Sequence, residues 1–174
     1  MNGTVINSLQ YAGTVYLSLQ VDSNTKIPVA KIHNAGTAAL FNFFTDCLAG
    51  DFKLAETSRP TKIMLLSTQK DPNTLEVTGV TSVSRFLYML TNPEKVYGGS
   101  AQGGSIKYSF VIPRAILDVA KFDRIGLYAD NAQTPEEYSA YCDVSLSDEN
   151  SPLWGASSVM TLDWELNISN TAKK

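Results

Sequence analysis

His33 and Cys47 are the first residues to test, because a thiolate and an imidazole together make a nucleophile and its base. His33 is the chain's single histidine and Cys47 is one of two cysteines. A catalytic thiolate needs its base within hydrogen-bond reach and a positive local field. Cys47 falls near the C-terminal end of an expected helix, on its apolar stripe. There the helix dipole disfavours a thiolate and burial raises the thiol pKa. The pattern predicts Cys47 as a small core hydrophobe and His33 as a turn or cap residue in "HNAG". Cys47 and Cys142 are expected as free thiols in a reducing compartment.

Asp163 and Glu165 stand at i, i+2 on one face of "TLDWELNIS". Paired carboxylates are what glycoside hydrolysis uses, but no accompanying motif supports that reaction, and acids on an open strand face are solubilising. One histidine and two scattered cysteines do not make a zinc constellation. Acids cluster at Asp148 and Glu149 and at Asp130, Glu136 and Glu137, without EF-hand spacing. They leave a solvated acidic loop or loop-bound calcium as the readings. "GGSAQGGS" contains G-x-x-x-x-G, but no Lys-Ser/Thr follows and a strand comes next, so it reads as a loop tip rather than a phosphate cradle. No catalytic, cofactor-binding or metal-ligating residue is assigned, no cofactor is expected, and the chain is read as a non-enzyme.

Composition narrows the classes further. Fourteen Lys+Arg against seventeen Asp+Glu give a net charge of −3, and no basic stripe supplies the footprint of a nucleic-acid binder. Hydrophobic residues make up 44% and charged residues 18%, below the usual quarter or so for charge. Such a chain buries a substantial core and hides part of its surface against neighbours. No apolar run approaches the ~20 residues of a membrane-spanning helix, and "MNGTVINSLQ" lacks the charge and apolar core of a leader. The expectation is one domain over all 174 residues, made in a cytosol, with a short flexible tail at 170–174.

The elements that must position these residues are mostly strands. "TVYLSLQV" alternates, with Val15, Leu17, Leu19 and Val21 on one face. Turn residues Asp22, Ser23 and Asn24 lead to "IPVAKIH", and Pro28 marks that strand as an edge strand or one that starts late. A helix is expected over about 37–49, capped by Thr37 and closed by Gly50. Its buried stripe comprises Leu40, Phe41, Phe44, Cys47 and Leu48, with Phe43 towards its edge and widening it. "KIMLLS" is apolar on both sides and reads as a central strand. Gly79 marks a bulge, and "SIKYSFVIP" and "RIGLYA" are further strands. "RAILDVAK" allows a helical turn, and Thr134-Pro135-Glu136-Glu137 has the signature of a helix start. In "SVMTLDWELNIS", Met160, Leu162, Trp164, Leu166 and Ile168 point one way. About nine strands by this reading, with turn signals between them, predict a mainly β chain. The expected architecture is an antiparallel β-sandwich, jelly-roll or Ig-like, with one short buried helix.

Tyr88, Tyr97, Tyr108, Tyr128, Tyr138 and Tyr141, set among Ser, Asn and Gly, suit polar interfaces or sugar contacts as well as ordinary sandwich surfaces. A strand pair leads into "HNAGTAALFNFFTDCLAGDF". Then come "RPTKIMLL", "IKYSFVIPRAIL", "FDRIGLYA" and a closing "TLDWELNIS". That order resembles small virion structural proteins of tailed bacteriophages, of the head-fibre, decoration or tail-associated kind, over about Tyr11 to Ser169. The resemblance implies a non-enzymatic protein made in the host cytoplasm and located in the virion, displayed in many copies. Its partners would be capsid, collar or tail proteins and copies of itself, with no nucleic acid, membrane or cofactor. The chain lacks the coiled-coil or glycine-repeat shaft of many fibres, which implies a compact attached domain. The alternative is a carbohydrate-binding adhesin module that recognises a host-surface glycan.

Overall fold

The alternating segments nearest the two ends of the chain pair with each other. In the computed structural model, which describes residues 7–97, 104–117, 122–144 and 159–172, β1 (Asn7–Gln20) and β10 (Val159–Ala172) run antiparallel. They stay in register from Asn7 opposite Ala172 to Gln20 opposite Val159. Val15, Leu17 and Leu19 lie opposite Trp164, Leu162 and Met160, and all six are buried. Period-two alternation places these side chains on one face. Residues 170–172, expected in a short tail, pair in β10 opposite Leu9, Ser8 and Asn7.

β2 (Lys26–Gly36) forms a hairpin with β1, and Pro28 sits at a register shift, opposite Ser18. β2 lies inside the strand order rather than at its end. Its far neighbour β9 (Tyr138–Asp143) reaches only Ala35 and Gly36. Among the described residues no strand pairs with 26–34 on that side, which agrees with the confinement of proline to edges and bulges.

The remaining strands are β3 (Pro60–Lys70), β4 (Val77–Ser82), β5 (Leu87–Tyr88), β6 (Glu94–Tyr97), β7 (Gly104–Ile112) and β8 (Arg124–Ala129). Pairing is antiparallel throughout and gives one ten-stranded sheet, ordered β4-β3-β8-β9-β2-β1-β10-β7-β6, with β5 beside β3. The mainly β, antiparallel fold is the one expected from the alternation. The sheet has two halves joined through the short β2–β9 contact, and both bury side chains in one core. Phe110, Leu162 and Trp164 enter it from one half, and Ile63, Leu65, Ile125 and Leu127 from the other. β3 is apolar on both sides because a second cluster of Met64, Leu66, Tyr128 and Ala132 covers its opposite face. The shift beside Gly79 in the β3–β4 ladder is the expected bulge, and α3 (Arg114–Leu117) is the expected helical turn.

α1 (Ala38–Ala49) ends at Gly50, whose φ of 77° is left-handed. Gly50 and Asp51 return their N–H groups to the Cys47 and Asp46 carbonyls, a Schellman closure. The helix is where expected, but its buried face is not the expected stripe. Leu40 and Phe43 are buried and Phe44 is half-buried, while Phe41, Cys47 and Leu48 are exposed. The core cluster meets only the side of α1 that carries Leu40, Phe43 and Phe44. A seven-residue helix the alternation did not foretell follows, α2 (Phe52–Ser58), started by Asp51, whose carboxylate accepts from the Leu54 N–H at 3.3 Å. α2 packs beside α1, and of its own side chains only Ala55 is buried.

Candidate functional site

Thr37 precedes α1 in extended conformation, yet its hydroxyl does not cap the helix. It donates instead to the Tyr138 and Ser139 carbonyls at 2.9 and 2.8 Å, and the Thr37 N–H adds a bond to Ser139 at 2.8 Å. These bonds fix the first turn of α1 against β9. Between that turn and the loop joining β8 to β9 lies a cleft of about 510 Å³. Its size falls within the roughly 300–1,000 Å³ of small-ligand sites. Alanines at 38, 39, 129 and 132 line it with little bulk, and Asn42, Asn131, Glu136 and Tyr138 supply its polar and aromatic character.

The far wall of the cleft, residues 130–137, is braced at almost every position. Lys62, a buried residue of β3, donates from Nζ to the Asp130 carbonyl at 3.0 Å and to the Ala132 carbonyl at 2.7 Å. Its ammonium also lies 4.1 Å from the centre of the Phe86 ring, a cation–π contact. The Asp130 and Asn131 N–H groups reach the Arg59 and Thr57 carbonyls at 3.0 and 3.1 Å. The Tyr128 hydroxyl donates to the Pro135 carbonyl at 2.7 Å. Gly126 makes room for that ring: a Cβ there would lie 2.6 Å from it. The Glu137 carboxylate accepts from Gln133 N–H at 2.6 Å and Thr134 N–H at 3.2 Å. Those bonds, Gln133's first, hold its pKa below the ordinary carboxylate value.

The expected helix start at Thr134 is therefore corrected to a turn. Pro135 is held by Tyr128, and Glu137 caps the N–H groups behind it instead of opening a helix. Lys62 in "KIMLLS" carries its own signal, since a cation at the head of a doubly buried strand needs polar partners there. Asn131 and Glu136 were legible only as parts of an acidic connector.

The sequence-predicted residues fare differently. Cys47, expected in the core, is exposed on α1. Partial desolvation, with the neighbouring Asp46 carboxylate adding to it, pushes its thiol pKa up, and His33 plays no part. His33 lies on β2 opposite Thr14, exposed. Cys142 is buried and its pKa is pushed up to about 12, chiefly by burial; both cysteines are free thiols. Asp163 is engaged by the Ser109 hydroxyl at 2.6 Å. Glu165 lies opposite Lys107, whose ammonium pairs with Glu94. Of the acidic groups, Asp130 accepts from the Thr61 hydroxyl at 3.1 Å. Asp148, Glu149 and most of "GGSAQGGS" lie outside the described residues. Among the described residues no cluster of three or more His, Cys, Asp or Glu is placed to hold a metal ion. No helix there is long and apolar enough to cross a membrane.

The tyrosines also separate. Tyr108 and Tyr128 are buried, Tyr138 and Tyr141 are half-buried with ring centres 5.2 Å apart, and Tyr88 is exposed. Tyr97 belongs to β6. A smaller groove of about 280 Å³ lies beside Arg124. Three of its charged groups are engaged: Arg124 Nε donates to Asp143 at 2.7 Å, and Asp123 accepts from both the N–H and the hydroxyl of Thr68. No protein-family model, curated protein or solved structure matches this chain.

Proposed function

We propose that this chain is a non-enzymatic virion structural protein of a tailed bacteriophage, a compact domain attached to capsid, collar or tail and acting through protein–protein interfaces. The observation that carries the interface reading is the outer surface of the helix pair. Phe41, Leu48, Phe52 and Leu54 are 50%, 79%, 74% and 53% exposed. Large apolar groups left to water on two neighbouring helices mark a surface meant for contact. The virion assignment rests on the sequence resemblance, and other virion proteins and copies of this chain are its expected partners. Mass spectrometry of purified particles from the phage that encodes the chain tests it. The protein should be present at a fixed stoichiometry, and its absence from intact particles would sink the reading. Phe41→Ser combined with Leu48→Ser should lower its incorporation while leaving the isolated domain folded.

A second reading is a receptor-binding module for host-surface glycan, favoured by the cleft and its amide, carboxylate and tyrosine groups. The absence of any hit on a broad glycan array at high protein concentration would count against it.

A further inference from the structure

We infer that the cleft between α1 and the 130–137 loop is the site where a neutral, polyhydroxylated ligand binds, a pyranose unit of a surface glycan. The inference rests on the receptor-binding reading and gives it a location and a chemistry.

The first argument is preorganisation. The loop's own backbone groups are tied to Lys62, Arg59, Thr57, Tyr128 and Glu137, so its shape is fixed before any ligand arrives. Rigid walls reduce the ordering cost of binding. A buried lysine devoted to two carbonyls is a costly way to hold a surface loop. The second argument is what that bracing leaves over. Among the described residues, the side-chain amides of Asn42 and Asn131 and the Glu136 carboxylate line the cleft and have no hydrogen-bond or ion-pair partner. These groups sit on opposite walls, one on α1 and two on the loop.

The chemistry selects the ligand. An amide both donates and accepts, as a hydroxyl does, and a carboxylate accepts from two hydroxyls at once. No lysine or arginine lines the cleft while two carboxylates do, so phosphate, sulfate and carboxylate ligands would be repelled. The alanine floor allows an apolar ring face to approach closely, and Tyr138, whose ring packs edge-on with Tyr128 and Tyr141, stands among the lining residues.

The test is a heteronuclear NMR titration of the whole chain with a panel of neutral mono- and disaccharides. A glucuronic acid arm and a tetramethylammonium arm are run beside it. The expected result is saturable shifts confined to residues 37–42 and 129–139 with at least one neutral sugar. Binding should be about tenfold weaker in each of Asn131→Ala and Glu136→Gln, the size of effect expected from one lost hydrogen bond. Tyr16→Ala, on β1 where Lys31 lies over the ring, should bind as the parent does. Sugar binding that survives in Asn131→Ala/Glu136→Gln, with shifts elsewhere, would overturn the site while sparing the glycan reading. Binding of tetramethylammonium or glucuronate in the cleft with no neutral sugar bound would overturn the ligand class. No shift with any sugar would overturn the site and the glycan reading together. Unchanged amide spectra of the unliganded variants show that lost binding is not lost folding.

Discussion

Lys62 Nζ donates to the Ala132 carbonyl at 2.7 Å, joining a core strand to the wall of the cleft. The same ammonium holds the Asp130 carbonyl and lies over Phe86. Replacing it with methionine keeps the length and the apolar stem but leaves two carbonyls without their donor. Lys62→Met should therefore destabilise the domain by about 2–3 kcal/mol, the scale of hydrogen bonds to a charged group. Urea unfolding measures that loss. Hydrogen exchange should quicken first at Gln133, Thr134 and their neighbours while β1 and β10 stay protected. Uniform loosening across the sheet would show that Lys62 serves the core rather than the loop.

The Glu137 carboxylate makes the same wall sensitive to acid. Its pKa is lowered by the N–H bonds of Gln133 and then Thr134, from an ordinary value of 4.5. A group with a lower pKa in the folded state contributes stability that is complete above its unfolded value and is lost as pH falls through the folded one. The Gln133 and Thr134 amide resonances should hold steady from neutral pH down to the ordinary carboxylate range and move only below it. In Glu137→Gln that acid-dependent movement should be absent. A midpoint at or above the ordinary value would mean the carboxylate does not cap these groups.

Much of this fold is legible because one face of each long strand is buried and the other is not. "TLDWELNIS" could be assigned residue by residue: Leu162, Trp164 and Leu166 are buried, and Asp163 and Glu165 look outward to Ser109 and Lys107. β3 was legible as central because both its faces are apolar. Cys47 and Phe41 were placed wrongly because a helical stripe says which side chains are apolar, not how wide a face the neighbours cover. Here Thr37 anchors the start of α1 to β9, and Leu40 and Phe43 take the buried positions. The cleft was not legible at all. Its wall is held mainly through backbone carbonyls, which every sequence has, by side chains remote along the chain. Only the fold brings Lys62 to Ala132 or Thr37 to Ser139.

The two cysteines should separate cleanly in a labelling experiment. Cys47 is exposed and Cys142 is buried, so a disulfide-exchange reagent should modify one thiol in the native protein and both after unfolding. Cys47 should still react more slowly at neutral pH than a free thiol, because partial desolvation and Asp46 raise its pKa and the thiolate is the reacting form. Asp46→Asn should speed the reaction at fixed pH. A native Cys47 faster than a free thiol would reveal an activating partner and reopen the question of chemistry at this residue.

The helix pair makes the sharpest distinction between holding the fold and meeting a partner. Leu40 is fully buried and Phe43 nearly so, at 8% exposure, while Phe41 is half exposed and meets Tyr11 edge-on. Leu40→Ala should cost about 2–5 kcal/mol and Phe43→Ala about 3–5 kcal/mol, because each opens a cavity the sheet cannot fill. Phe41→Ala should cost the isolated domain less than about 1 kcal/mol. Its effect should instead fall on association: light scattering at rising concentration should show less self-association in Phe41→Ala and Leu48→Ser than in the parent. Equal destabilisation by Phe41→Ala and Phe43→Ala in chemical unfolding would mean that α1 buries the wider stripe its sequence implies and that this surface is core.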